Sequence, residues 1–268
     1  MKVAQKFAYN YGIDVQLYSA QFLEDHPIIP NEFVKTPDLE RSILDLGDFQ
    51  IQRKLPLIKD ILDRLYSASD ADYFIYSNVD IAVMPNFYVT ISQIIKQGYD
   101  AFVINRRTIS KNSQMIEDIP LMYAEVGKKH PGHDCFIFKK TSYNNYQLNS
   151  LCIGASLIGR ALLINLICNA QKFKEFKNLH LTFHIGDDRS WREEKFEDYT
   201  RHNLKETQKI VRHYKDLGNP LDHPLIVKFV NNTNPEFWLG KAVKQKNKKQ
   251  KFTLWLSQKL NSLIKKND

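Results

Sequence analysis

The sequence predicts an α/β fold with a mostly parallel central sheet flanked by helices. Three observations carry this reading. Helix-period and strand-like stretches alternate from the start of the chain to residue 105. The strand-like stretches are short and apolar on both faces, as in a sheet covered by helices on each side. Finally, 43% of the 268 residues are hydrophobic and 12% aromatic, which is ample for a sizeable core and unlike a disordered composition.

Residues 2–11 read as a helix, with Val3, Phe7 and Tyr11 at helical spacing and Gly12 as the stop. A strand over 13–20 follows, then a loop broken by Pro27, Pro30 and Pro37. Residues 48–67 read as a second helix, striped by Leu55, Ile58, Ile61, Leu62 and Leu65. Next come a strand at 73–76, a helix at 87–97, a strand at 101–105 and a loop to about residue 132. Beyond it the pattern loosens: a strand at 135–138, a helix at 159–173, a strand at 180–185 and a charged helix at 193–217. No internal repeat is visible.

Several function classes are excluded early. Three cysteines, with no C-x-x-C spacing, make neither a disulfide framework nor a zinc site and point to a reducing compartment. No apolar run reaches the ~18 residues of a membrane span, and the first ten residues lack the apolar core of a secretory signal. A cytoplasmic location is the expectation. The net charge of +8 is uneven: residues 241–268 carry nine lysines and one aspartate, so residues 1–240 are neutral. With the basic charge confined to the tail, nucleic acid is not an expected partner. The phosphate-binding glycine motifs G-x-G-x-x-G and G-x-x-x-x-G-K-[ST] are absent, as is the G-x-S-x-G nucleophile turn.

Chemistry concentrates in four places. Residues 72–81, DYFIYSNVDI, put Asn78 and Asp80 just after an apolar strand, on the side of an α/β sheet where ligands bind. Two oxygen-bearing side chains there suit a divalent cation bridging a diphosphate. The same residues would equally turn the chain or cap the next helix. Residues 180–191, HLTFHIGDDRSW, bring His180, His184, Asp187 and Asp188 to another strand end. His180 and His184, four apart on a strand, would share one face. An imidazole there would add a metal ligand and a carboxylate a general base. Residues 130–138, HPGHDCFIF, place Asp134 between a glycine turn and an apolar strand, as a base for an acceptor hydroxyl or as a turn-closing residue. Two basic pairs, Arg53–Lys54 and Arg106–Arg107, have the side chains that suit diphosphate oxygens.

A helix carrying Arg53, an apolar strand, then Asn78, Val79 and Asp80 before another helix resembles the middle of the GT-A glycosyltransferase fold, a Rossmann-related architecture. The resemblance covers roughly residues 1–190. It implies an Asp-x-Asp motif at 78–80 holding Mn²⁺ or Mg²⁺ against the diphosphate of a nucleotide-sugar donor. It also implies that His184 completes the metal site and that Asp134, Asp187 or Asp188 serves as base. Arg53, Lys54, Arg106 and Arg107 would bind the donor. This chain departs from the pattern in having Asn78 at the first acidic position, which removes one carboxylate. A first strand is also expected before the helix at 2–11, and no residues for it precede that helix. The implied activity is sugar transfer from a nucleotide-sugar to a glycan or lipid-linked acceptor. The alternative is a non-catalytic nucleotide-sugar- or glycan-binding module recruited by its tail.

That tail divides the chain into a catalytic domain over 1–240 and a basic linker and helix over 241–268. Phe252, Trp255, Leu256, Leu260 and Leu263 fall on one helical face ringed by lysines. A basic amphipathic helix at 252–266 suits an anionic membrane surface, with peripheral attachment on the inner face, or else packs on the protein.

Overall fold

In a computed structural model of the chain, residues 1–112, 115–187 and 193–232 are described. The expected tail at 241–268 and Asp188 lie outside these residues. Among the described residues no helix is long and apolar enough to cross a membrane.

The elements run α1 (Lys2–Tyr9), β1 (Tyr18–Ser19), β2 (Val34–Lys35), α2 (Ile58–Ala68), β3 (Tyr73–Ser77), β4 (Ala82–Val83), α3 (Phe87–Lys96), β5 (Ala101–Ile109), α4 (Ile119–Ala124), β6 (Lys128–Lys139), α5 (Ile158–Asn169), β7 (Phe173–Phe176), β8 (Thr182–Ile185), α6 (Glu197–Asp216) and α7 (Val227–Val230). β1 and β2 pair in parallel as a separate two-stranded sheet. The central sheet has six strands in the order β3-β6-β5-β8-β4, with β7 also on β5. β7 covers Ala101–Ile104 of β5 and β8 covers Arg107–Ile109.

The class is α/β, and the sheet is mixed in its pairings. β6 is antiparallel to both of its neighbours and β4 is antiparallel to β8. β3, β5, β7 and β8 therefore share one direction, the parallel framework expected from the sequence, with β6 inserted against it. The carboxyl ends of β3 and β8 consequently open on the same side of the sheet, and this shared side is what positions the site.

Alternation along the strands builds two apolar layers. Phe74, Tyr76, Ala101, Val103, Phe136 and Phe138 face α2, α5 and α6, where they meet Leu62, Leu162, Leu166 and Ile210. Phe102, Ile104, Cys135 and Ile137 face the other way, onto Ala4 and Ala8 of α1 and Phe87, Ile91 and Ile94 of α3. α5 is apolar nearly all round and buries six residues from Ala161 to Leu166. Gly159 in its first turn eases this fit, since a Cβ there would lie 3.0 Å from the His133 carbonyl oxygen, a tight contact.

Five local expectations change. The helix expected over 48–67 starts only at Ile58. Pro56 disfavours the helical region for the residue before it, and the preceding stretch is used instead in a bridge between Leu57 and Cys152. Of the strand expected over 13–20 only Tyr18–Ser19 is paired. The strand expected over 180–185 starts at Thr182, because His180 adopts a left-handed φ of +52°; His180 and His184 therefore do not share a strand. The helix expected to reach Phe173 ends at Asn169, and residues 173–176 add the unexpected strand β7. The loop expected to reach residue 132 contains α4 and the first half of β6, whose Lys128 and Lys129 pair with Thr108 and Arg107 despite Pro131 and Gly132.

Candidate functional site

β3 delivers the first part of the site. Its core-facing Tyr76 is 8% exposed, and two residues on its hydroxyl donates to the Asn78 amide oxygen at 3.2 Å. Burial, followed by the nearby charges of Asp80 and Asp134, raises the Tyr76 phenol well above its ordinary value, so it stays a donor. Val79 points outward, fully exposed. The Asp80 carboxylate reaches across to β8, where its Oδ2 lies 3.1 Å from His184 Nε2.

The His184 ring is oriented from its other side. Nδ1 lies 2.7 Å from the Gly186 carbonyl oxygen, which only accepts, so Nδ1 carries the donated proton. Nε2 therefore faces the Asp80 carboxylate, and a lone pair facing an anionic oxygen requires a proton or a metal ion between them. Gly186 makes this possible with a φ of +70°, in a turn closed by its N–H to the Ile109 carbonyl at 2.9 Å. The imidazole is 11% exposed and the carboxylate 55%, so the pair opens to solvent on the Asp80 side.

β5 and β6 supply the second part. Their ladder shifts register between Ile104 and Asn105 and again between Asn105 and Arg107. A bulge of this kind re-aims the side chains beside it. Arg106 lies within the irregularity, its Nη1 3.1 Å from Asp134 Oδ2 and its Nη2 3.7 Å from Asp187 Oδ1. Arg106 and Asp134 are nearly buried, and their approach is ionic without hydrogen-bond alignment. One guanidinium thus holds two of the three carboxylates expected to act as base. Ser77 at the end of β3 pairs with Cys135 of β6, which sets Asp134 next to the strand end that leads to Asp80.

The other expected donor-binding cations have different tasks. Arg107 donates to the carbonyls of Val126 and Gly127. Lys54 pairs with Glu24 at 2.5 Å and sits over the Phe22 ring. The Arg53 guanidinium stacks on Phe196 at 4.6 Å, while its backbone N–H donates to the Tyr199 hydroxyl at 2.9 Å. No contact among the described residues joins Arg53 or Lys54 to Asp80, Asp134 or His184. The structure brings Asn78, Asp80, His184, Arg106, Asp134 and Asp187 to one region and leaves Arg53, Lys54 and Arg107 outside it.

Among the described residues no cluster of three or more His, Cys, Asp or Glu side chains would hold a metal ion by itself. The Asp80–His184 pair supplies two donors. Two ligands each about 2.1 Å from one ion and at right angles lie about 3.0 Å apart, which matches the 3.1 Å separation. The carboxylate oxygen suits Mn²⁺ or Mg²⁺ when ligand oxygens and water fill the other positions, and the imidazole nitrogen fits Mn²⁺ better than the harder Mg²⁺.

No protein-family model and no curated protein matches the chain. Among solved structures it is similar to Staphylococcus aureus TarS residues 1–349 in complex with UDP-GlcNAc, at 9% identity and a TM-score of 0.41 over 72% of this chain and 58% of that one. It is also similar to the same protein in complex with UDP, at 9% identity and a TM-score of 0.42 over 78% and 56%. For the protein crystallised as TarS 1–349 alone, the values are 10% and 0.34 over 70% and 60%. The chain thus spans between 56% and 60% of the length of these structures.

Proposed function

We propose that the chain is a glycosyltransferase that moves a sugar from a nucleotide-sugar donor to a glycan or lipid-linked acceptor, with a divalent cation at Asp80. The observation that carries this reading is the convergence of Asp80 Oδ2 and His184 Nε2 at 3.1 Å, at the carboxyl ends of two same-direction strands. That is where ligands of α/β sheets bind, and the Gly186 carbonyl fixes the ring so that Nε2 faces Asp80. When bound, the cation would neutralise charge on the diphosphate leaving group.

The chain's own residues do the rest. Asp80 and His184 would hold the ion, and Tyr76 hydrogen-bonds the Asn78 amide two residues before Asp80. In the transfer, the acceptor oxygen bonds to the anomeric carbon as the bond from that carbon to the diphosphate breaks. The acceptor proton passes to a carboxylate among Asp134, Asp187 and Asp188. Arg106 lies against both Asp134 and Asp187 and offsets their negative charge. The peripheral membrane contact through 252–266 belongs to the same proposal, since it would bring the site to a lipid-linked acceptor.

The test is calorimetric titration of a panel of nucleoside diphosphates, with and without Mn²⁺, into the protein and into Asp80→Ala. Asp80 is more than half exposed, so the variant keeps the fold. Binding that needs Mn²⁺ and is lost in Asp80→Ala supports the reading. Nucleoside diphosphate binding by a protein that transfers no sugar in a product assay would favour the non-catalytic module instead, and no binding by the wild type would overturn the nucleotide-sugar reading.

A further inference from the structure

The charge at the site does not balance for the ligand just proposed. Among the described residues Asp80, Asp134 and Asp187 contribute three negative charges and Arg106 one positive charge. A divalent ion would bring the sum over these residues to zero, and a diphosphate would then add at least two more negative charges for which these residues hold no further cation. Arg106 is committed to two carboxylates, Arg107 to two carbonyls, and Lys54 to Glu24.

Lys111 is placed differently. It follows β5 and is exposed, yet its stem lies across Gly186. A Cβ at position 186 would fall on the Lys111 Cε, 2.8 Å from its Cγ and 3.1 Å from its Cδ. Gly186 is the residue whose carbonyl orients His184 and whose N–H is tied to Ile109 at the end of β5. The turn that sets the imidazole thus also holds the lysine stem, because it has no side chain of its own. No carboxylate of the described residues pairs with the Lys111 ammonium; other described lysines lack one too, and what sets Lys111 apart is its stem on the Gly186 turn.

We infer that Lys111 is the cation that receives the donor's diphosphate at the Asp80–His184 pair. This rests on the nucleotide-sugar reading above and names a diphosphate-binding cation for it among the described residues. A lysine on a flexible stem suits the task, acting as a compact point charge for phosphate oxygens. Packing against Gly186 limits where its ammonium can go, which lowers the entropy lost on binding.

The experiment compares wild type, Lys111→Met and Lys111→Arg by calorimetry with the tightest-binding nucleoside diphosphate of the panel, in Mn²⁺, at low and high salt. Mn²⁺ alone is titrated into each protein as well. Lys111→Met is expected to weaken diphosphate binding about tenfold, the scale of one charge-assisted contact, and to flatten its salt dependence. Lys111→Arg is expected to restore most of the affinity. Mn²⁺ binding alone should be the same in all three, and circular dichroism should show an unchanged fold for this exposed position. Wild-type binding that Lys111→Met leaves intact overturns the inference while the Asp80 reading stands. A wild type that binds no nucleoside diphosphate overturns that reading, and the inference with it.

Discussion

Removing Arg106 should expose how the site is held together. The side chain is 10% exposed and lies 3.1 Å from Asp134, itself 14% exposed. At an effective dielectric of about 20, two unit charges at that distance attract by about 5 kcal/mol before desolvation is counted. Breaking a buried pair by deleting one partner costs about 3–5 kcal/mol, because the other charge is left uncompensated. The pair is not aligned for hydrogen bonding, and Asp187, at 3.7 Å, is 38% exposed and adds little. Arg106→Met is therefore expected to cost about 3 kcal/mol, or about 6–12 °C in Tm for a chain of this size. Asp134→Leu leaves the Arg106 charge nearly buried in turn and should cost a similar amount, eased only slightly by Asp187. The double variant should lie within about 1 kcal/mol of wild type, because neither charge then remains buried alone. Urea titrations of the four proteins give the cycle. A Tm change below about 2 °C for Arg106→Met, or a double variant no more stable than Arg106→Met, would refute the reasoning.

Three further outcomes follow from individual contacts. Asn203 is fully buried on α6 and bonds the Cys152 N–H at 2.9 Å, the Cys152 carbonyl at 2.8 Å and the Ser156 carbonyl at 3.0 Å; Asn203→Leu strands all three groups and should cost about 2–4 kcal/mol in urea unfolding, so a cost under 1 kcal/mol would contradict it. At Gly127, with φ +60°, a Cβ would lie 2.5 Å from the Thr108 carbonyl oxygen; Gly127→Ala should lower Tm by several degrees, and an unchanged Tm would show that the turn relaxes. Glu175 is nearly buried and bonds His133 at 2.9 Å and Lys177 at 3.0 Å. Burial alone would raise its carboxyl, but the bonds from Lys177 and His133 outweigh it, and the net direction is downward. A depressed carboxyl stabilises the fold above the ordinary glutamate value of about 4.3 and loses that effect as pH falls through the lower folded value. The stability difference between wild type and Glu175→Gln should therefore shrink between pH 7 and pH 3, and a constant difference would count against it.

What the sequence made legible follows from whether local chemistry or long-range pairing decided the outcome. α2, α3 and α6 carry apolar stripes, α5 is apolar nearly all round, and the apolar runs of β3, β5 and the second half of β6 read as strands. β7 is four residues with a lysine and a glutamate at its centre, and only its place beside β5 makes it a strand. Pro131 and Gly132 argued against the first half of β6, yet pairing with β5 overrides them. The Asp80–His184 pair was legible because both residues follow apolar strands whose shared direction brings their ends together. The tie of Arg106 to Asp134 and Asp187 was not, since a register shift leaves no mark in composition. Lys111 was also invisible as a single lysine in a polar segment, and the only sequence signal near its partner was Gly186 beside two aspartates.

β5 is the element through which packing reaches the chemistry. Its first four residues are fully buried and alternate between the two apolar layers, so the register of that half is fixed by the core on both faces. The bulge then releases Arg106 from that alternation at the point where the strand leaves the core. Beyond it, Arg107–Ile109 pair with β8 and set the height of His184 relative to Asp80, with Thr108 opposite His184. Ile109 closes the Gly186 turn, and Lys111 lies across that turn two residues later. Arg106, His184, Gly186 and Lys111 are therefore positioned by one strand whose other end is anchored in the core. A perturbation in the buried half that shifts β5 along its axis would move all four together, whereas a change at Tyr76 or Asn78 on β3 would move only the Asp80 side. The 3.1 Å separation of Asp80 and His184 then reports on the register between the β3 and β5 halves of the sheet, which β6 sets by pairing with both.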